Sequence, residues 1–169
     1  MTNDDYDKAA AHWTSKETDA VRMPEVELRV EIDSFLSSHN TCALACGAGD
    51  FVRCTPLEYV WRGGSFWIFS EGGLKFRALK LNKNVSLAVI EPYGGFDKLA
   101  SAQVTGAAEL IDPESDEFAE AVAAKGLPAS ALPKLRGMLH LIRVTPSRID
   151  YLCSELKSRG FDSRQWIEL

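Results

Sequence analysis

The sequence predicts a mainly β protein with flanking helices, in which about six antiparallel strands form a small closed or half-closed barrel. Short runs of apolar and aromatic residues recur along the chain, and turns that contain glycine separate several of them. Few segments show the apolar spacing of a helix. Hydrophobic residues make up 46% of the chain and charged residues 25%, which is an ordinary globular composition.

The 169 residues are predicted to form an arm, residues 1–22, and one domain, residues 23–169. The arm is acidic and has no apolar core, which argues against a signal peptide and indicates a mobile or loosely docked segment. Pro24 then starts a helix, because proline is well tolerated in a first turn and apolar residues follow at helical spacing. This helix should end near residues 38–40.

The strands are predicted from short apolar or aromatic runs bounded by turns. These runs are residues 41–47, 51–61, 65–70, 85–90, 99–111 and 139–152. The turns between the first three are short, which favours an antiparallel meander. Gly106 interrupts the fifth run and should mark a bulge or a close backbone approach.

Three further helical segments are predicted. A short basic helix should cover residues 74–81. The segment DPESDEFAEAVAAKG, residues 112–126, has Asp112 as its candidate cap and ends in glycine. Another helical segment follows, with an interruption expected at Pro133. Residues 153–169 are expected to form a tail.

Charge and hydropathy exclude several classes of function. The net charge is -5, with 19 basic and 24 acidic residues, and this balance disfavours a nucleic-acid partner. No apolar run approaches membrane-spanning length, so we expect no membrane partner and a cytoplasmic location. The four cysteines form no Cys-x-x-Cys pair, and no metal site is predicted. Cys42 and Cys46 should be buried thiols on one face of a strand.

The stretch FSEGGLKFRALKLNKNVSLAVI, residues 69–90, contains a candidate anion site. Ser70 ends a strand, two glycines follow, and Lys75 opens a short helix. This arrangement brings an ammonium group and a hydroxyl to free backbone N–H groups at a positive helix end, which suits a phosphate monoester. A solvated lysine on an ordinary turn is the alternative.

Two other strands carry polar residues that could bind a ligand. Arg53 and Thr55 should share one face of their strand, where a guanidinium fork and a hydroxyl could bind an anion. Gln103 and Thr105 should share a face of another strand, and an amide matches the edge of a uracil-like ring. An amphipathic strand with its polar face in water is the alternative for Arg53. No Ser/His/Asp order, P-loop or G-x-G-x-x-G motif is present.

The order of these segments resembles the pyridoxamine 5'-phosphate oxidase-like family, the flavin-binding split barrels. The motifs that carry the resemblance are, in order, CALAC, RCTPLEYVW, SFWIFSEGGLK, Leu79, NKNVSLAV, AQVTGAAELI and the closing VTPSRIDYL. They cover roughly residues 26–152. The resemblance implies a six-stranded antiparallel split β-barrel.

The resemblance also implies a cofactor. It implies FMN with its phosphate on Lys75, Ser70 and Arg53 and its ring edge near Gln103, at the interface of a homodimer. The implied cofactor-binding residues are Arg53, Thr55, Pro56, Ser70, Gly73, Lys75 and Gln103; no catalytic residue is singled out. The implied activity is that of an FMN-dependent oxidoreductase with a small-molecule substrate or electron donor.

The C-terminal residues GFDSRQWIEL keep Arg164 and Trp166 but lack the Arg-, Trp- and Gly-rich run that closes the vitamin B6 oxidases. We therefore do not expect efficient oxidation of pyridoxine phosphate. Two alternatives to the oxidoreductase stay open. One is a flavin- or haem-binding module for storage, sensing or stress response without rapid turnover, and the other is a flavin-free relative with an empty pocket.

Overall fold

The computed structural model of the protein describes residues 2–169, without the side chain of Trp13. The helices are α1 (Asn3–Glu17), α2 (Glu25–Ser38), α3 (Lys75–Leu79), α4 (Asp116–Ala124) and α5 (Leu132–Met138). The strands are β1 (Thr41–Ala48), β2 (Phe51–Glu58), β3 (Val60–Arg62), β4 (Ser65–Ser70), β5 (Asn84–Ile90), β6 (Ala100–Ile111), β7 (His140–Cys153) and β8 (Arg164–Glu168). Within the described residues, no helix is both long and apolar enough to cross a membrane.

All eight strands belong to one antiparallel sheet, in the order β2-β1-β5-β6-β7-β4-β3, and β8 pairs with β7. The sheet curls into a half-barrel around an apolar core, so the predicted split barrel with flanking helices is confirmed. The predicted count of six strands is wrong. Residues 51–61 divide into two strands at Tyr59, whose amide donates to the Asn40 carbonyl and whose hydroxyl donates to the Leu36 carbonyl. The C-terminal segment supplies the other additional strand.

The β6–β7 pair contains the bulge predicted at Gly106. The register shifts between Thr105 and Gly106, which lies opposite Pro146. A Cβ at Gly106 would lie 2.4 Å from the carbonyl oxygen of Thr145 and 3.0 Å from the Cα of Pro146. The prediction of a bulge or close approach is confirmed. Since a bulge increases local bend and twist, this position helps to curl the sheet.

The two faces of the sheet differ in composition. One cross-strand row consists of Thr55, Leu44, Leu87, Val104, Ile149 and Ile167. Except for Thr55, these side chains are buried in the core, and we call this side the inner face. The adjacent row consists of Pro56, Ala43, Ala88, Gln103, Asp150 and Trp166. None of these residues is buried, and we call this side the outer face.

Local signals account for most of the helix ends. Helix α2 follows Pro24 and ends at Ser38, as predicted. The predicted cap of α4 is wrong, because Ser115 accepts the Phe118 amide at 3.3 Å, whereas Asp112 accepts the Glu114 amide in the preceding turn. The interruption expected at Pro133 does not occur. Pro133 lies in the first turn of α5, where its missing N–H is tolerated.

Residues 3–17 form a helix that apolar spacing did not predict, because most of its residues are exposed. A capping box between Thr2 and Asp5 begins it. The segment after the helix is anchored near β8, since the Val21 amide donates to Asp162 at 2.8 Å and the Met23 amide donates to Gln165 at 2.9 Å. The boundary of the arm at residue 22 stays a prediction.

Gly106→Ala should destabilise the protein, because the new Cβ would clash with backbone atoms of the neighbouring strand. We expect the free energy of unfolding to fall by about 2 kcal/mol or more, measured by urea denaturation. Gly137→Ala in α5 is the matched control, since no atom lies within 4 Å of its added Cβ. Equal stability of the two variants would contradict the close approach.

Gln165→Leu should release the segment that follows α1. The Gln165 side chain is 99% buried (1% exposed), accepts the Met23 amide and donates to the carbonyls of Val21 and Asp162. Leaving such groups unpaired costs about 1–3 kcal/mol. Hydrogen exchange at the Met23 amide should therefore accelerate. Gln103→Leu, on the exposed outer face, should leave that exchange rate unchanged, and equal acceleration in both variants would refute the anchoring role.

Candidate functional site

Residues 70–75 form a tight corner between β4 and α3. Gly72 and Gly73 have φ angles of +133° and +105°, in the region that side chains rarely adopt. The Ser70 hydroxyl accepts the Gly72 amide at 3.2 Å and lies 3.1 Å from the Gly72 carbonyl oxygen, to which it can donate. The Lys75 ammonium donates to the same carbonyl. The corner therefore brings Ser70 and Lys75 together on one backbone group.

Lys75 is only 5% exposed, which is unusual for a lysine. Burial is the main cause that lowers the pKa of its ammonium; the Cys46 thiol opposes this effect and Arg53 adds to it. The Cys46 thiol donates to the Lys75 carbonyl at 3.7 Å, and Cys46 pairs with Arg53 across β1 and β2. The fold thus brings Arg53 near Lys75 although 22 positions separate them in the sequence.

No carboxylate forms an ion pair with Lys75 or Arg53 in the part of the chain that the structure describes. By contrast, Arg143 and Arg148 each pair with more than one carboxylate. Two neighbouring cations without a counter-charge, one of them buried, create a positive potential at the corner. Such a place favours an anion, above all a phosphate with several acceptor oxygens.

The predicted cofactor residues divide between the two faces of the sheet. Arg53 and Thr55 share the inner side of β2, in the same alternation as their partners Cys46 and Leu44. Pro56, by contrast, lies in the outer row. Ser70, Gly73 and Lys75 belong to the corner at the end of β4. Like Arg53 and Thr55, this corner lies on the inner side of the sheet.

Gln103 lies on the outer face, in the row that joins it to Ala88 and Asp150. Strands β1 and β5 separate β6 from β2, so these two strands are about 14 Å apart across the sheet. Gln103 is in register with Pro56 and not with Arg53, and it lies on the face opposite Arg53. No single face of one chain therefore brings Gln103 to the Lys75 corner.

A cavity of about 790 Å³ opens at Gln103 on the outer face. The last turn of α1, the loop after it and strands β6–β8 line this cavity. Its wall includes Glu17, Asp19, Gln103, Asp150, Arg164 and Trp166. Arg148 connects the walls, because its guanidinium donates to Glu17 at 2.6 Å, to Asp150 at 2.6 Å and to Glu168 at 2.9 Å.

Two residues near these sites were missed or only partly recognised in the sequence. His140 lies directly across from Ser70 in the β4–β7 pair, and its ring centroid is 5.0 Å from that of Phe76. Nothing in its sequence neighbourhood signals this position. Trp166 lies on the outer face, with the Arg22 guanidinium 4.1 Å from its ring centroid. Exposed and buried residues alternate along β8, but the sequence RQWIE does not alternate polar and apolar residues, so it carries no local signal for this strand.

All four cysteines are free thiols. Cys42 and Cys46 are buried free thiols, as predicted. Burial raises the pKa of Cys42 to about 12 and also raises that of Cys46, so both thiols stay protonated near neutral pH. Among the described residues, no group of three or more His, Cys, Asp or Glu side chains is arranged to hold a metal ion.

Comparisons with solved structures support this fold. The FAD-binding protein of Mesorhizobium loti is 20% identical, with 72% of this chain and 89% of that chain covered and a TM-score of 0.58. The haem storage protein HutZ of Vibrio cholerae is 18% identical, with 69% and 87% covered and a TM-score of 0.57. ChuZ of Campylobacter jejuni is 17% identical, with 87% and 61% covered and a TM-score of 0.66. At these identities the likeness concerns the fold alone.

No curated protein sequence matches the chain. A family model does: the model described as pyridoxamine 5'-phosphate oxidase matches residues 28–153, from α2 to the end of β7. This match covers well over half of the chain and includes both the Lys75 corner and Gln103. The chain therefore belongs to the pyridoxamine 5'-phosphate oxidase family.

Proposed function

We propose that this protein binds FMN, with the FMN phosphate at the Lys75 corner, and acts as an FMN-dependent oxidoreductase on a small molecule. The observation that carries the proposal is the pair of cations, Lys75 and Arg53, that no carboxylate neutralises within the described chain. A phosphate group would supply the missing charge and accept hydrogen bonds from both side chains. When bound, FMN supplies hydride or electron transfer.

The shape of the corner supports a single terminal phosphate. A Cβ built at Gly72 would meet no atom within 4 Å, and one at Gly73 would lie 3.7 Å from the Lys75 ammonium nitrogen. The missing side chains leave room beside the ammonium. The Ser70 hydroxyl adds a donor or acceptor next to it. Thr55 shares the inner side of β2 with Arg53, and we assign it to the nearby part of the cofactor. Pro56 lies in the outer row, so a role for it in binding the same cofactor would have to come from the outer face.

The separation of Gln103 from the corner supports a homodimer. FMN with its phosphate at Lys75 would meet the amide of Gln103 only if a second copy presented its outer face. That face exposes small and apolar residues, including Val52, Cys54 and Ile90. A twofold pair would cover this patch on both copies and enclose the flavin between them.

A haem-binding module is the second candidate. HutZ, which is named as a haem storage protein, has the same fold, and His140 lies beside Ser70 where it could reach a bound group. His39 is less suited, because its ring nitrogens contact the Phe35 carbonyl at 2.7 Å and Glu91 at 2.8 Å. Absorption spectra of the purified protein separate the candidates. A flavin spectrum supports the first, whereas a Soret band after haem addition without flavin supports the second.

Lys75→Ala should weaken FMN binding by about tenfold or more, because a hydrogen bond to a charged group contributes about 1.5–3 kcal/mol. Riboflavin lacks the phosphate, so its affinity should change much less. Both ligands can be titrated by flavin fluorescence. Lys80→Ala, an exposed lysine at the other end of α3, is the control and should leave both affinities unchanged. Equal losses for FMN and riboflavin in Lys75→Ala would refute the phosphate site.

FMN affinity should fall as the pH rises from neutral to alkaline values. The free protein holds Lys75 with a lowered pKa, so the ammonium loses its proton at a lower pH than an ordinary lysine. A bound phosphate favours the charged form and raises that pKa. The gain in affinity is therefore complete below the pKa of the free protein and is lost as the pH rises from that value through the higher pKa of the complex. Lys75→Arg should bind FMN without this alkaline loss, because arginine stays charged. A parallel fall for riboflavin would exclude Lys75 as the cause.

Val52→Asp should convert a dimer to a monomer in light scattering at micromolar concentration. Val52 is 76% exposed on the outer face, and burying an unpaired carboxylate in an interface is unfavourable. Val26→Asp is matched in chemistry and exposure, at 77%, but lies on α2. It should leave the dimer intact. A monomeric parent protein with flavin bound would overturn the proposed interface.

A further inference from the structure

A cavity of about 380 Å³ lies between α2, β3, the β3–β4 turn and the strands β7 and β8. Its volume falls in the range of small-molecule sites. It shares no lining residue with the cavity at Gln103 and includes no residue of the Lys75 corner. The cavity is therefore separate from the site proposed for FMN, and what it binds does not depend on the proposed function.

The deep part of this cavity is apolar. It is lined by Ile32 of α2, Ile149 of β7 and Ile167 of β8, which are all buried in the core. Pro146, which is buried at the bulge opposite Gly106, adds another apolar wall. Protein interiors are normally packed without voids of this size, so these side chains leave apolar surface for another molecule to cover.

Trp61 of β3 provides a planar wall whose position is fixed in the free protein. Its indole N–H donates to Asp33 at 2.9 Å, and its ring packs edge-on against Phe66, with ring centroids 4.8 Å apart and an interplanar angle of 61°. Because these contacts orient the ring before a ligand arrives, less conformational freedom is lost on binding. A fixed aromatic surface beside apolar side chains favours a ligand that contains a ring.

The charged side chains that line the cavity lie at its mouth and already have partners. Arg29 is half-buried and donates to Glu25, one turn earlier in α2, from Nε at 3.1 Å and from Nη2 at 2.7 Å. Asp33 is exposed and accepts the Trp61 indole N–H. An ionised ligand would lose its hydration against the apolar walls without meeting a counter-charge there. Thr145, also at the mouth, offers one hydroxyl to a neutral ligand.

We propose that this cavity binds an uncharged, mainly apolar molecule of one or two rings. The ring lies against Trp61, the apolar part contacts Pro146 and the three isoleucines, and a hydroxyl or carbonyl at the mouth meets Thr145. Such a molecule covers apolar side chains of α2, β7 and β8 at once, so its binding also stabilises the packing of the helix on the sheet. A carboxylate or an amine of the same shape binds less tightly, because the buried walls offer it no partner.

Three probes of nearly equal shape test the chemistry of the ligand. At neutral pH, 4-methylbenzyl alcohol is uncharged, 4-methylbenzoate is an anion and 4-methylbenzylamine is a cation. Chemical-shift titration of the Trp61 indole N–H, assigned with Trp61→Phe, reports binding to the purified full chain. We expect the alcohol to bind about tenfold or more tightly than either ion, because each ion would give up hydration without a counter-charge. The indole signal of Trp166, in the cavity at Gln103, should not respond.

Thr145→Phe should weaken binding of the alcohol by about tenfold or more in the same titration, because the added ring occupies the mouth of the cavity. Thr41→Phe is the matched control, since Thr41 is also an exposed strand residue but lies outside the cavity wall. It should leave the affinity unchanged. Circular dichroism checks that both variants fold.

A second variant tests the aromatic wall. Trp61→Leu should weaken binding of the alcohol by about threefold or more, measured by ligand-observed saturation transfer, because it removes the aromatic surface beside the ring. Trp67→Leu is its control, since Trp67 is half-buried like Trp61 and lies on the neighbouring strand, outside the cavity wall. It should leave the affinity unchanged.

Several results would overturn the proposal. They are the absence of a saturable shift at Trp61, equal affinities for the three probes, tighter binding of either ion, and equal losses in Thr145→Phe and Thr41→Phe. The order of the probes should be the same with and without added FMN, because the cavity and the Lys75 corner share no residue. A failure of FMN binding would therefore leave this inference standing, and its own failure would leave the FMN proposal untouched.

Discussion

The long β6–β7 pair is the constraint on which the rest of this structure depends. The first half of β7 pairs with β4 and the second half with β8, while β6 continues the sheet to β5, β1 and β2. The bulge at Gly106 brings the two strands so close that no side chain fits there. Both the inner core and the outer row of polar residues take their positions from this pair. A change in its register by one residue would exchange the two faces.

The Lys75 corner shows how a local turn acquires a function from its surroundings. Two glycines with positive φ turn the chain, and a serine and a lysine meet on one carbonyl. Taken alone, this is an ordinary turn with a hydrogen-bonded lysine. Packing of α3 against β1 and β2 buries the ammonium and adds the Arg53 guanidinium nearby. Burying a cation without a counter-charge is unfavourable, and a bound anion removes this cost.

The outer face divides into two parts with different character. Toward β2 it carries small and apolar residues, whereas toward β8 it carries a network in which Arg148 joins three carboxylates. That network ties the end of α1 to the sheet and so forms one wall of the cavity at Gln103. Exposed ion pairs are individually weak, and the hydrogen bonds of buried Gln165 and the burial of Met23 add to the anchoring of this segment. The arm and the last strand are therefore structurally dependent on each other.

The sequence by itself determined six strand segments along the chain, the helix after Pro24 and the corner from Ser70 to Lys75, because these follow from local spacing, turn residues and alternation. It did not determine the order of the strands in the sheet or strand β8, which depend on pairing between distant segments. It also indicated a close approach at Gly106. It did not reveal α1, whose exposed surface has no apolar period, or the division of one strand at Tyr59, which depends on hydrogen bonds to α2 and the residue that precedes β1. Only the tertiary structure decided that Arg53 lies near Lys75, that Gln103 lies on the opposite face, and that Ile32, Trp61 and Pro146 line one cavity. These juxtapositions depend on cross-strand register and on the docking of distant segments, which local sequence patterns do not encode.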